Sequence, residues 1–229
     1  MEWFSVEWWT ALLGIVVIDL VLAGDNAIVI GLAARNVPAE QQRKVILWGT
    51  FGAIILRTLG TLAVVWLLKV PGLLLAGGLI LIWIAYKLLV EERNHNIAAK
   101  DSLLAAVRTI IVADAVMGLD NVLAVAGAAH GDFALILLGL LISVPIVVWG
   151  STLFLKWMKR FPAIIYIGSG VLAFTAAKMV AEEPLIHAVF AHAAVKWPFV
   201  ALIIAGVLTA GLRKKRRREQ ERGKETAAT

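Results

Sequence analysis

Seven long apolar segments, at about 9–33, 45–68, 72–90, 104–129, 133–155, 162–181 and 195–212, fill most of the chain, with short polar connections between them. Each approaches the roughly 20 residues that an α-helix needs to cross a hydrocarbon core. The pattern therefore predicts an all-α, polytopic membrane protein with seven transmembrane helices. Pro71, Pro162 and Pro198 stand near predicted span starts, where a missing amide hydrogen costs least. The connection from Glu91 to Asp101, with its polar Arg93-Asn94-His95-Asn96, is too short for a separate soluble domain. Residues 1–212 are thus expected to form one transmembrane domain, followed by a basic tail over 213–229.

The apolar pattern repeats. Gly77 to Glu92 (GGLILIWIAYKLLVEE) aligns with Gly168 to Glu183 (GSGVLAFTAAKMVAEE), matching Lys87 to Lys178 and Glu91-Glu92 to Glu182-Glu183. Spans 1–3 (repeat A, about 9–92) therefore recur as spans 4–6 (repeat B, about 104–183), and span 7 (about 195–212) is an addition. Three is odd, so the second unit enters the membrane from the opposite side. This is a 3+3 inverted-topology repeat, a plan common in secondary transporters, whose sites lie near the midplane between halves.

Charge gives the orientation. The run Arg213-Lys214-Lys215-Arg216-Arg217-Arg218 follows the last apolar segment and accounts for much of the net charge of +6. It reads as a cytoplasmic anchor against anionic lipid, not a nucleic-acid site. Seven spans then place the N-terminus outside and the C-terminus in the cytoplasm. Arg35, Arg43, Lys44, Arg93, Lys100, Lys156, Lys159 and Arg160 also fall inside, with little beyond Lys69 and Lys196 outside. Trp3, Trp8, Trp9, Trp48, Trp66, Trp157 and Trp197 lie near predicted span ends, as interfacial tryptophans do. The composition agrees: 61% hydrophobic and 17% charged, against about 25% charged in soluble domains. The lack of cysteine excludes disulfides, thiolate metal sites and a cysteine nucleophile. Met1-Glu2-Trp3-Phe4 has no basic n-region, so a cleaved leader is not expected.

Against this background the buried acids carry the chemistry. Asp19-Leu20-Val21-Leu22-Ala23-Gly24-Asp25-Asn26 recurs as Asp114-Ala115-Val116-Met117-Gly118-Leu119-Asp120-Asn121, each copy inside an apolar segment. A carboxylate at a helix centre in lipid costs at least about 2.5–3.5 kcal/mol. Four at matched spacing are better explained as two halves of a cation site than as packing. On an unbroken helix Asp19 and Asn26 share a face about 10 Å apart, with Asp25 turned about 100° from Asn26. One ion cannot span that distance. Either the helix breaks near Ala23-Gly24 and Gly118, freeing carbonyl ligands, or Asp25 and Asp120 meet across the repeat axis with Asn26 and Asn121. The favoured arrangement places Asp25, Asn26, Asp120 and Asn121 nearest the ion, with Asp19 and Asp114 one step away as relay or proton sites. Such oxygen donors suit Mg, Ca or Mn better than Cu or Zn. Met117 offers a soft ligand, but its repeat partner Leu22 points to packing.

Arg57 stands mid-span, where an arginine needs an anionic partner, and its aligned partner is Val148. Either it clamps one aspartate locally, or it joins the charge balance of the ion site. Four aspartates, one arginine and a divalent ion leave one negative charge, which a proton neutralises, so metal–proton exchange is natural. Lys87 and Lys178 snorkel from span ends. His130, Asp132, Glu182, Glu183, His187 and His192 form an outer polar rim, or else a weak release vestibule.

The doubled acidic motif in a seven-span frame resembles the TerC family of integral membrane proteins. The matching residues are Asp19, Gly24, Asp25 and Asn26 in the first copy, and Asp114, Asp120 and Asn121 in the second. Leu119 stands where the first copy has Gly24, so a symmetric helix break is not implied. The resemblance covers spans 1–6 and implies efflux of Mn²⁺ across a bacterial inner membrane, with kinship to LysE-type exporters.

The resulting expectation is a non-enzymatic exporter of a divalent cation, Mn²⁺ ahead of Ca²⁺ or Mg²⁺, working by alternating access with protons as counter-ions. An intramembrane aspartyl protease also uses two membrane aspartates, but needs two unequal carboxylates sharing a proton. Here the motifs are near-symmetric, and Leu22-Ala23-Gly24-Asp25 stands where a Gly-x-Gly-Asp pattern would be. A retinal-binding seven-span receptor would leave the repeat unexplained and finds no lysine in the apolar core of span 7.

Overall fold

The computed structural model describes residues 4–67, 70–91, 99–129 and 132–227. Lys69, Glu92, Arg93 and His130 lie outside the described residues, as do the side chains of Asp120 and Asn121. Among the described residues the chain is all helical. It forms α1 (Val6–Ala34), α2 (Ala39–Leu67), α3 (Leu73–Val90), α4 (Ala99–Ala129), α5 (Phe133–Arg160), α6 (Ile164–Glu182), the single turn α7 (His187–Phe190) and α8 (Ala193–Ala227). The apolar segments read from the sequence fall on the seven long helices.

Local chemistry sets the ends. Ser5 caps α1 by accepting from the Trp8 amide at 3.1 Å. Asp132 caps α5 by accepting from the amides of Ala134 and Leu135, at 2.9 and 3.4 Å. Gly72 opens α3 with φ of +80°, a left-handed conformation that favours glycine. Among the described residues, four helices are long and apolar enough to cross a membrane: α3, α5, α6 and the Ala193–Arg218 part of α8. The two halves of α1, Val6–Leu20 and Gly24–Ala34, meet at 47° and make a fifth span if taken together.

Helices pair across the chain more than along it. α1 packs chiefly on α5, α2 on α4, and α3 on α6, while α8 lies outside against α6 and α3. Between helices in lipid the hydrophobic effect offers little, so close packing and polar contacts hold them together. Glycines allow the closest approaches. A Cβ at Gly139 would collide with Ile15 Cγ2, and one at Gly78 would stand 2.8 Å from the Ala176 carbonyl oxygen. Outward faces remain apolar, with Leu13, Phe51, Trp83, Trp149 and Leu202 exposed.

The apolar interior has two parts. Trp8, Leu12 and Ile15 of α1 pack with Val125 of α4 and Leu135 and Leu140 of α5. Further along α1, Val29 and Leu32 join Leu81, Ile84, Ile110 and Leu172. Asp19 falls between these stretches of α1, and the buried Asn26, Thr50, Arg57, Asp114 and Ser143 collect there.

Candidate functional site

Three helices bring three charges together. Arg57 of α2 donates from Nη1 to Asp19 Oδ1 on α1, and from Nη2 to Asp114 Oδ1 on α4 at 2.5 Å. Asp19 is engaged on both oxygens, since the hydroxyl of Ser143 on α5 donates to its Oδ2. Asp19, Arg57 and Asp114 are only 3%, 7% and 8% exposed. An unpaired charge at that depth is strongly unfavourable, so the pairing is required by burial. Arg57 thus holds an aspartate from each motif copy.

A cavity of about 20 Å³ adjoins the cluster, lined by Asp19, Asn26, Thr50, Arg57, Asp114 and Ser143 among others. It has room for one water-sized guest, which needs about 10–15 Å³. Three buried oxygens at its wall have no hydrogen-bond partner among the described residues: Asn26 Oδ1, Thr50 Oγ1 and Asp114 Oδ2. Each is an acceptor left unmet, which costs about 1–3 kcal/mol unless a guest supplies the contact. These three are oxygens of the kind that bind hard divalent cations, while Arg57 Nε on the same wall is an unmet donor. Among the described residues, however, no three acidic, histidine or cysteine side chains gather into a metal-binding group.

The six motif residues are distributed unequally. Asp19, Asn26 and Asp114 share the cavity wall. Asp25 is partly exposed, and its Oδ1 accepts from the Asn26 amide at 3.0 Å. It still lies within electrostatic reach of Arg57 and Asp114. Asp120 and Asn121 lie on α4, with side chains outside the described set. A Cβ at Gly118 would lie 3.7 Å from Arg57 Nε, an ordinary contact, so α4 passes close to the guanidinium there without needing a glycine. Sequence reading missed Ser143 and Thr50. The signal for Ser143 was its position in an apolar run two residues before Pro145, which deprives α5 of one backbone donor.

The rim expectation fails at Glu183, which is 1% exposed. Its carboxylate accepts from the amides of Gly72, Leu74 and Leu75 at 2.9, 3.0 and 3.2 Å, capping α3 from the far end of α6. It is a structural joint. Glu182 does remain at the surface, 3.1 Å from Lys196.

A family model described as "Integral membrane protein TerC family" matches residues 4–219. The chain belongs to the TerC family. It is 43% identical over 204 residues to the membrane protein YjbE of Bacillus subtilis, covering 88% of this chain and 94% of that one. It is 23% identical over 198 residues to the inner membrane protein YgdQ of Escherichia coli, covering 78% and 83%. The Bacillus subtilis membrane protein YkoY is 24% identical over 180 residues, 69% of this chain and 56% of that one. No solved structure matches the chain.

Proposed function

We propose that this TerC-family protein exports a divalent cation, Mn²⁺ in preference to Ca²⁺ or Mg²⁺, from the cytoplasm by alternating access. One observation carries the reading: an aspartate from each motif copy converges on a single buried arginine, beside a cavity walled by unmet oxygens. The pairing of α1 with α5 and α2 with α4 supports a two-fold exchange between inverted three-helix halves, with seven spans in all. The bend in α1 between Leu20 and Gly24 supports a discontinuous helix beside the site. The lysine and arginine bias supports an inner-membrane protein with its N-terminus outside and its C-terminus in the cytoplasm.

Arg57 acts as the resident cation of the ion-free site. A divalent ion entering between Asp19 and Asp114 competes with the guanidinium for their oxygens, and Asn26 and Thr50 add neutral donors. Asp25, Asp120 and Asn121 serve on the path to or from that position. Protonation of aspartates on the outer side weakens the ion's hold, and Arg57 returns to both carboxylates. The arginine also argues against a protease dyad, because it stands between two carboxylates that such a dyad would bring together.

The test is flux into proteoliposomes of Mn²⁺, Ca²⁺ and Mg²⁺, each with and without a pH gradient. Asp114→Asn should abolish Mn²⁺ flux while the protein remains folded. Full flux through a folded Asp114→Asn protein would refute the assignment.

A further inference from the structure

A second, larger cavity of about 380 Å³ opens at the end of the bundle where the basic tail begins. Its volume lies within the roughly 300–1,000 Å³ usual for small-ligand sites. Among the described residues, Arg35, Lys159 and Lys215 line it against one carboxylate, Glu91, a formal surplus of two positive charges. Such a lining repels a divalent cation, so this is not a vestibule for the proposed cargo.

Its cations are held in place. Arg35 Nη2 donates to the carbonyls of Leu88 and Glu91 at 2.9 and 3.0 Å, which orient the guanidinium. Lys159 Nζ donates to Gln42 Oε1 at 2.8 Å across 117 positions of sequence. Lys215 lies over the Tyr166 ring, 6.0 Å from its centroid. Within the tail run, Arg213, Lys214, Arg216 and Arg217 are exposed, whereas Lys215 and Arg218 are half-buried. Arg218 donates to the Val90 carbonyl at 3.1 Å, fixing this part of α8 against the end of α3. Lys215 is thus set apart from its neighbours by direction, not by charge. Leu89, Met158 and Ile165 supply apolar wall beside these cations.

We propose that this cavity binds a phosphate-bearing anion, the chemistry shared by an anionic phospholipid headgroup and free phosphate. Basic pockets between helix ends recognise lipid phosphates through such cations, and apolar wall beside them suits the glycerol end of a lipid. The site is independent of the cation pathway proposed above.

The test uses the full chain in uncharged detergent, where no charged leaflet adds a surface potential. Binding of phosphatidylglycerol, phosphatidylcholine and inorganic phosphate is titrated separately by native mass spectrometry. Phosphatidylglycerol should bind at least tenfold more tightly than phosphatidylcholine, and the pair Lys159→Gln with Lys215→Gln should lose at least tenfold of that affinity. The pair Arg213→Gln with Arg217→Gln removes the same charge from exposed positions and should change it less than twofold. The pair Lys159→Arg with Lys215→Arg should keep the binding, which separates lost recognition from lost folding. If inorganic phosphate binds instead, with the same dependence on Lys159 and Lys215, the source is free phosphate and the site stands. Equal losses from both glutamine pairs, or no preference for either anion, would overturn it.

Discussion

Arg57 reaches Asp114 across the α2–α4 contact at 2.5 Å and uses only one of its carboxylate oxygens. With Asp19 paired to the same guanidinium, the triad is a closed charge cluster whose removal in part should be worse than its removal in full. Arg57→Leu leaves two buried carboxylates without their cation and should cost about 3–5 kcal/mol. Adding Asp19→Asn and Asp114→Asn should restore most of that loss. Unfolding of the detergent-solubilised variants measures both steps. A neutral Arg57→Leu, or a triple variant no better than the single one, contradicts a stabilising clamp.

Ser143 and Thr50 offer the opposite case. Ser143→Ala takes a donor from the buried Asp19 carboxylate, and a hydrogen bond to a charged group is worth about 1.5–3 kcal/mol. Thr50→Val removes a hydroxyl that has no partner among the described residues, so stability should stay within about 0.5 kcal/mol or improve. If the unmet oxygens belong to an ion path, Thr50→Val should nevertheless weaken Mn²⁺ binding severalfold by isothermal titration. Unchanged Mn²⁺ affinity would remove Thr50 from the ligand set.

The spans and the chemistry of the site were legible at different levels. Length and hydropathy located the helices, because burial in lipid demands long unbroken apolar runs. The doubled acidic motif marked α1 and α4. Spacing within a helix also set Asp19 and Asn26 on one face, and both line the cavity. Which residues meet across helices is a matter of packing, and the sequence does not encode it by spacing. Which aspartates Arg57 meets is therefore set by the packing of α2 on α4 and α1, not by any spacing in the chain. Glu183 looked like a rim residue because its acceptors' partners, Gly72, Leu74 and Leu75, lie more than a hundred positions upstream.

Glycines separate packing from bending. Gly78→Ala would place its Cβ 2.8 Å from the Ala176 carbonyl oxygen, a backbone atom that cannot turn aside. The α3–α6 contact should open at a cost of about 1–3 kcal/mol. Among the described residues nothing lies within 4 Å of a Cβ at Gly24, which begins the second half of the bent α1. Gly24→Ala should therefore hold or raise stability, by up to about 1 kcal/mol from helix propensity. The same change stiffens the bend, so Mn²⁺ flux should fall while the unfolding midpoint does not. Wild-type flux in this variant would show that the bend need not flex.

Glu183 links the fold to pH. Burial alone would raise its pKa, but the amides of Gly72, Leu75, Leu185 and Leu74 together hold it below the ordinary value near 4.5. The folded protein then binds fewer protons than the unfolded chain as this group titrates, so stability rises with pH in that window. The contribution is complete above the ordinary value and is lost as pH falls through the depressed one. Glu183→Gln keeps one acceptor oxygen and forfeits the charge, and should cost about 1–2 kcal/mol at neutral pH. That gap between wild type and variant should be constant down to about pH 5 and shrink steadily below about pH 4.5. Unfolding midpoints of both proteins across that range provide the measurement. A gap that stays the same at acid pH would mean that the cap at the start of α3 does not depend on an ionised carboxylate.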